Sequence, residues 1–223
     1  MDLMGRRKSL TKIKKNSVSV RRDPEGVRSD ILQTASEVFA ESGLSGARID
    51  EIAARTRTSK RMIYYYFGDK DGLYKACLEA AYAKVREGEP QLDLSGLAPD
   101  AALAKIVAFT FDHHRQNPDF IRLVMIENIH DASYLTASDV IRSQNNAAIE
   151  KLSAIIARGQ RLGMFPDEID PVELHWHISA LSFFNVSNRP TFSALFGGAL
   201  YSEKGQARLR DQAVEMILRY VRK

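Results

Sequence analysis

Apolar positions recur every three or four residues along most of this chain and almost nowhere in strict alternation, which predicts helices. Asp23-Pro24 reads as an N-cap followed by proline at the first helical position. Val27, Ile31, Ala35, Val38 and Phe39 then mark one face, and Gly43 supplies the stop. Two short helices are predicted next. One covers about residues 48–56 and is buried through Ile49, Ile52 and Ala53; the other covers about 59–67, with Ser59 as N-cap and Ile63 and Phe67 facing inward. Longer helices follow. The first spans about 71–86 and is ended by Gly88 and Pro90. The next spans about 99–116 and carries Leu103, Ile106, Val107, Thr110 and His114. Asn117-Pro118 stops it and starts another through Ile121, Val124, Met125 and Ile126. About residues 137–162 repeat apolar or small positions at Ala148, Leu152, Ile155, Gly159 and Leu162.

Residues 172–180, VELHWHISA, alternate and alone would pass for a strand. Asp170-Pro171 with Glu173 resembles a capped helix start, and the apolar run continues past strand length to Val186, so a helix is predicted. The last helix, about 204–221, has two apolar faces. Leu209, Ala213, Met216, Ile217 and Tyr220 form one; Val214, Leu218 and Val221 form the other. Two such faces on a terminal helix suggest contact with both its own core and a partner. The predicted fold class is all-α.

Charge changes this picture at one end. Residues 1–22 hold eight Lys/Arg against Asp2 alone, so the rest of the chain, with 24 cations against 27 acids, is slightly acidic. That tail lacks helical periodicity and is expected to be disordered, either as a solubilising extension or as a basic arm for DNA. It has no apolar segment of the kind a signal peptide carries, and no apolar run approaches the ~18 residues of a membrane span. A cytoplasmic protein with no membrane partner is expected. The single cysteine, Cys77, excludes an intrachain disulfide and a cysteine-based zinc site.

Between Arg55 and Arg61 stand four cations and no acid, followed by Tyr64, Tyr65 and Tyr66. With Ile63 inward, Arg61 and Tyr65 lie about 200° around the helix, since each residue advances ~100°. They point outward, while Lys60, Met62, Tyr64 and Tyr66 flank them. Three successive tyrosines cannot all be buried on one helical face. Two short helices joined by a tight turn, the second carrying cations and phenols, suit a DNA groove.

The run from Ile49 through Tyr74 resembles the DNA-binding domain of the tetracycline-repressor (TetR) family of bacterial regulators. The match falls on Ile49, Ile52-Ala53, Ser59, Ile63, Tyr64, Tyr66, Phe67, Lys70 and Leu73. Thr56-Arg57-Thr58 stands where the family usually has Ala-Gly-Val, so Arg57 must adopt a left-handed conformation or reshape the turn. Tyr66 replaces a common histidine. The resemblance implies that Arg48, Lys60, Arg61, Met62, Tyr64, Tyr65, Tyr66 and Lys70 meet DNA. Arg61 is the best candidate for base readout, because a guanidinium can bond two acceptors of guanine. It further implies a helix-turn-helix domain over residues 23–70 after the tail 1–22. A larger helical domain over 71–223 would bind an effector and dimerise through the last two long helices, placing two recognition helices on a palindromic operator in double-stranded DNA.

The larger half shows no Gly-rich phosphate loop, nucleophile elbow or two-histidine zinc helix, so neither enzyme activity nor a cofactor is expected. His175 and His177 diverge by about 200° and cannot share a metal. Glu127 with His130, or Glu173 with His177, could share a face, but such pairs are most often plain hydrogen bonds, and no metal site is expected. A small-molecule effector of unknown identity is the better reading. Its candidate contacts are Phe109, His114, Ile126, Glu127, His130, Trp176, Phe183, Phe184 and Asn188, with Phe111 and Leu123 as further aromatic and apolar candidates. Arg122, Arg142 or Arg158 could pair an anionic effector. The alternative is an architectural or activating DNA-binding protein without an effector.

Overall fold

The computed structural model describes residues 23–88 and 92–223; the basic tail lies outside them. Eleven α-helices make up the described residues: α1 Pro24–Gly46, α2 Ile49–Arg55, α3 Lys60–Phe67, α4 Lys70–Gly88, α5 Pro99–Gln116, α6 Pro118–Ile129, α7 Ser133–Thr136, α8 Asp139–Arg161, α9 Pro171–Ser187, α10 Arg189–Phe196 and α11 Glu203–Val221. A 3₁₀ turn, Ala199–Tyr201, precedes α11, and no strand occurs among the described residues.

Helix starts follow side-chain chemistry. Asp23 accepts from Glu25 N, Ser59 from Met62 N, and Ser202 from Gly205 N. Asp170 Oδ1 accepts from Val172 N at 2.7 Å and Glu173 N at 2.9 Å, so the alternating VELHWHISA run is helical, as its flanks predict. Gly43, at φ 72°, breaks the helical path of α1 where the sequence places the stop. Two elements lie outside the sequence expectation. The four-residue α7 is held by Glu127, whose Oε2 accepts from Tyr134 N and Leu135 N. The short α10 follows α9 directly at Asn188, whose carbonyl accepts from Phe192 N.

Two apolar cores organise the helices. The first contains Ile31, Val38, Phe39, Ile52, Ile63, Leu73, Tyr74 and Leu78, and continues to Leu123 of α6 and Ile141 of α8. It therefore does not stop at residue 70: α4 packs against helices both before and after it. The second contains Leu103, Val107, Phe111, Leu152, Ile155, Phe165, Leu174, Ile178, Ile217 and Val221. The terminal helix divides differently from its predicted faces. Ala213, Ile217, Leu218 and Val221 are buried together, and Leu209 and Val214 pack against the same core. Met216 and Tyr220 stay half exposed. One broad face, rather than two, meets the core.

Candidate nucleic-acid interface

The turn between α2 and α3 shows how an arginine replaces glycine. Arg57 sits at φ 51°. Its N–H donates to Ala54 O at 3.3 Å, and Thr58 N donates to Ala53 O at 3.0 Å. These are the two bonds of a Schellman C-cap, satisfying carbonyls that would otherwise end α2 unpaired. The left-handed arginine costs about 1–2 kcal/mol. Beside it, the buried Thr56 hydroxyl is satisfied by donating to Ile52 O at 2.7 Å. The turn keeps its shape; it is strained, not rebuilt.

α3 is then anchored by Ile63, which is fully buried, and presents the opposite side to solvent. Lys60 and Arg61 are exposed, Met62 and Tyr64 are partly so, and Tyr65 is 77% exposed. Tyr66 instead packs against the first core, its ring edge-on to Tyr65 at 5.4 Å. Arg48 is exposed at the N-cap of α2. Lys70 opens α4 and donates from Nζ to Ser45 O at 3.3 Å, tying the last turn of α1 to the start of α4. Lys60 forms an ion pair with Asp50. Arg55 does not join the patch counted from sequence. Its guanidinium reaches Glu37 at 2.7 Å and Glu41 at 3.4 Å, and so is turned onto α1. The exposed face gathers Arg48, Arg61, Tyr64 and Tyr65 around a helix whose apolar side is fixed.

Away from this face lies a cavity of about 640 Å³, walled by α4, α5, α6, α8 and α9. Phe109, His114, Trp176 and Phe183 line it. The other sequence candidates lie elsewhere, each for a definite reason. Ile126 packs against the first core, and Glu127 is fully buried as the anchor of α7. His130 closes α6 through its backbone, and Asn188 joins α9 to α10. Phe184 points outward against Phe192. Phe111 and Leu123 are core residues. Arg86, which the sequence reading did not single out, lines the cavity together with Tyr82, Phe120, Asn145 and His175.

His114 is 8% exposed, and its Nδ1 has no hydrogen-bond partner. Burial first, then the neighbouring His113 and His175, pushes its imidazole down from 6.5 to about 3. Below its ordinary pKa the unfolded chain takes up a proton that the folded protein refuses. This contribution to stability is whole above pH 6.5 and drains away as pH falls toward 3. Between pH 7 and pH 5 the loss is about 2 kcal/mol. His114→Phe is expected to flatten that part of the profile, measured by urea unfolding at the two pH values. An unchanged difference would remove His114 as its source.

Comparison with known proteins agrees with this architecture. The family model for "Bacterial regulatory proteins, tetR family" matches residues 31–77, and that for "Tetracyclin repressor-like, C-terminal domain" matches residues 99–217. The HTH-type transcriptional repressor NicS of Pseudomonas putida is 33% identical over 196 residues, 88% of this chain and 92% of NicS. The HTH-type transcriptional repressor SCO4008 of Streptomyces coelicolor is 29% identical over 90% of this chain and 97% of its own. The solved structure of the protein SCO4942, also from Streptomyces coelicolor, has a TM-score of 0.67 at 25% identity, covering 87% of this chain and 98% of that one. The turn, the exposed recognition face and the helical body behind it are parts of one design: the chain belongs to the TetR family of helix-turn-helix transcriptional regulators.

Proposed function

We propose that the protein is a dimeric repressor that leaves a palindromic operator when a small molecule fills the 640 Å³ cavity. The observation that carries this reading is the double membership of α4. Leu73, Tyr74, Cys77 and Leu78 bind its first half into the core beneath α2 and α3. Tyr82, Val85 and Arg86 in its second half form cavity wall. A ligand that shifts this wall therefore moves the helix on which α3 rests, and so changes the spacing of two recognition helices. By linkage, operator DNA must weaken ligand binding by the same factor. On this reading residues 23–70 contact DNA and 71–223 sense and dimerise. The protein works on cytoplasmic DNA and catalyses no reaction.

Within the DNA face, the exposed Arg61 reads bases, with Lys60 and Met62 beside it, and Arg48, Tyr64, Tyr65, Tyr66 and Lys70 hold the backbone. Arg61→Ala is expected to cost about 1–3 kcal/mol on the operator and relax preference at one position. Lys70→Ala is expected to weaken all sequences alike, with a salt slope shallower by about 1. Fluorescence anisotropy on operator and random duplexes at several salt concentrations separates the two. Equal losses on both DNAs for both variants sink this division of labour. Intact DNA binding with no thermal shift across a broad metabolite panel favours the architectural reading instead.

A further inference from the structure

A second cavity, of about 610 Å³, lies where α5 ends, α6 begins and α9, α10 and α11 meet. It shares no lining residue with the cavity walled by α4 and α8. Three helices each bring it an arginine: Arg115 from α5, Arg122 from α6 and Arg189 from α10. Glu203 is the one carboxylate among the described lining residues, which leaves their charge at net +2. Outside the described residues the chain holds two carboxylate side chains, Asp2 and Glu89. Glu89 follows Gly88, which packs on Phe109 in the other cavity.

The arginines are held in ways that keep donors for a ligand. Arg189 lies over the Tyr201 ring at 5.5 Å, a contact made by its face rather than its N–H edge. Arg122 is exposed, with Asp119 one turn earlier as its charged neighbour. Arg115 is shared between Asp112 at 3.6 Å and Glu203 at 3.4 Å. The Glu203 side chain is 93% exposed, so water and salt screen this pair and an anion can replace it. Beneath the charges, the buried Asn185 and Gln206 bond reciprocally at 2.8 and 3.0 Å. Gln206 sends its second N–H to Leu200 O, so this floor is polar, neutral and closed on itself. Ile121, Met125 and Val186 supply an apolar side.

We propose that this cavity binds a phosphate monoester, its phosphate among Arg115, Arg122 and Arg189 and its organic part against Ile121, Met125 and Val186. A carboxylate is matched by one guanidinium fork and brings a single charge. A phosphate monoester brings close to two charges and three acceptor oxygens, which suit forks arriving from three helices. Inorganic phosphate supplies the charge but leaves the apolar side empty. The assignment stands apart from the effector reading, because the two cavities have no lining residue in common.

Isothermal titration of the full-length protein with phenyl phosphate, inorganic phosphate and benzoate tests this. The titrations run at about pH 8, where the ester is a dianion, in a phosphate-free buffer of fixed ionic strength. Phenyl phosphate is expected to bind saturably, about tenfold or more tighter than either other anion. Arg122→Gln and Arg189→Gln, both at exposed positions, are each expected to weaken it about tenfold. Glu203→Gln is expected to tighten it, and Arg86→Gln, in the other cavity, to leave it unchanged. Thermal melting confirms that the variants fold. Benzoate or inorganic phosphate matching phenyl phosphate overturns the assignment. So does binding that neither Arg122→Gln nor Arg189→Gln weakens, binding lost in Arg86→Gln, or binding weakened by Glu203→Gln. Absence of saturable binding at millimolar concentration does the same. Salt slopes on random DNA that turn shallower in Arg122→Gln and Arg189→Gln, with phenyl phosphate affinity intact, assign these arginines to DNA instead.

Discussion

Met216→Glu is expected to leave the fold intact, turn the dimer into a monomer and weaken operator binding about 100-fold or more. Met216 and Tyr220 are the large apolar residues of α11 that the chain's own core does not cover, at 51% and 47% exposure. They do not stand alone. The Tyr220 ring meets His177 at 5.1 Å, and His177 meets Trp176 at 5.2 Å, which joins the exposed stripe of α11 to that of α9. Val172 and Phe184 extend the patch along α9. Exposed apolar residues on two long helices suit an interface. In a two-fold interface every substitution appears twice, so one glutamate per chain brings two carboxylates into an apolar seam. The expected loss on DNA comes from bivalency, because a monomer holds one half-site without the effective concentration its partner supplies. Sedimentation velocity and anisotropy on the operator measure both effects, with circular dichroism to confirm the fold. A variant that remains dimeric with undiminished operator affinity would place the interface elsewhere.

The helices were legible where a local rule decides them. Asp170-Pro171, Asp23-Pro24 and Ser59 mark starts by side-chain bonds to nearby N–H groups, and those bonds form. The outward direction of Arg61 and Tyr65 followed from helical rotation relative to Ile63. What could not be read depends on contacts distant in sequence. Arg55 lies in a basic run, yet its charge is taken up by Glu37 and Glu41 on the preceding helix. Glu127 looked like a polar group for a ligand; instead it caps α7, a helix too short to show periodicity. The cavity shows the same limit. Periodicity says which residues of a helix face inward, but not that Arg86 of α4 and Asn145 of α8 face each other. Most of the recognition helix's exposed face was visible in the sequence because one turn and one helix create it. The cavity draws on five helices, and only four of the nine effector candidates line it.

Gly159→Ala is expected to destabilise the protein by about 2 kcal/mol, although alanine is the better helix former. Gly159 lies near the end of α8, and Phe165 folds back over it to fill the second core with no exposed surface. A Cβ on residue 159 would lie 2.6 Å from Phe165 Cγ and closer still to Cδ2. The ring has no easy retreat. Met164 N and Phe165 N both donate to Gly159 O, at 2.9 and 3.3 Å, which pins the backbone on which the ring stands. Helix propensity favours alanine by about 1 kcal/mol, but forcing a methyl group into a filled core costs typically about 1–3 kcal/mol and more where nothing can move. Phe165→Ala alone is expected to lose about 3–5 kcal/mol through the space it leaves. In the double variant the added methyl meets no ring, and its propensity gain reappears. The two changes should therefore fall short of additivity by at least about 1 kcal/mol. Denaturant unfolding of the four proteins measures the coupling, and strictly additive losses would refute the steric account. The consequence reaches function, because the segment that Phe165 anchors delivers the chain into α9, the helix that carries both the Trp176 wall of the cavity and the exposed apolar residues proposed for the dimer interface.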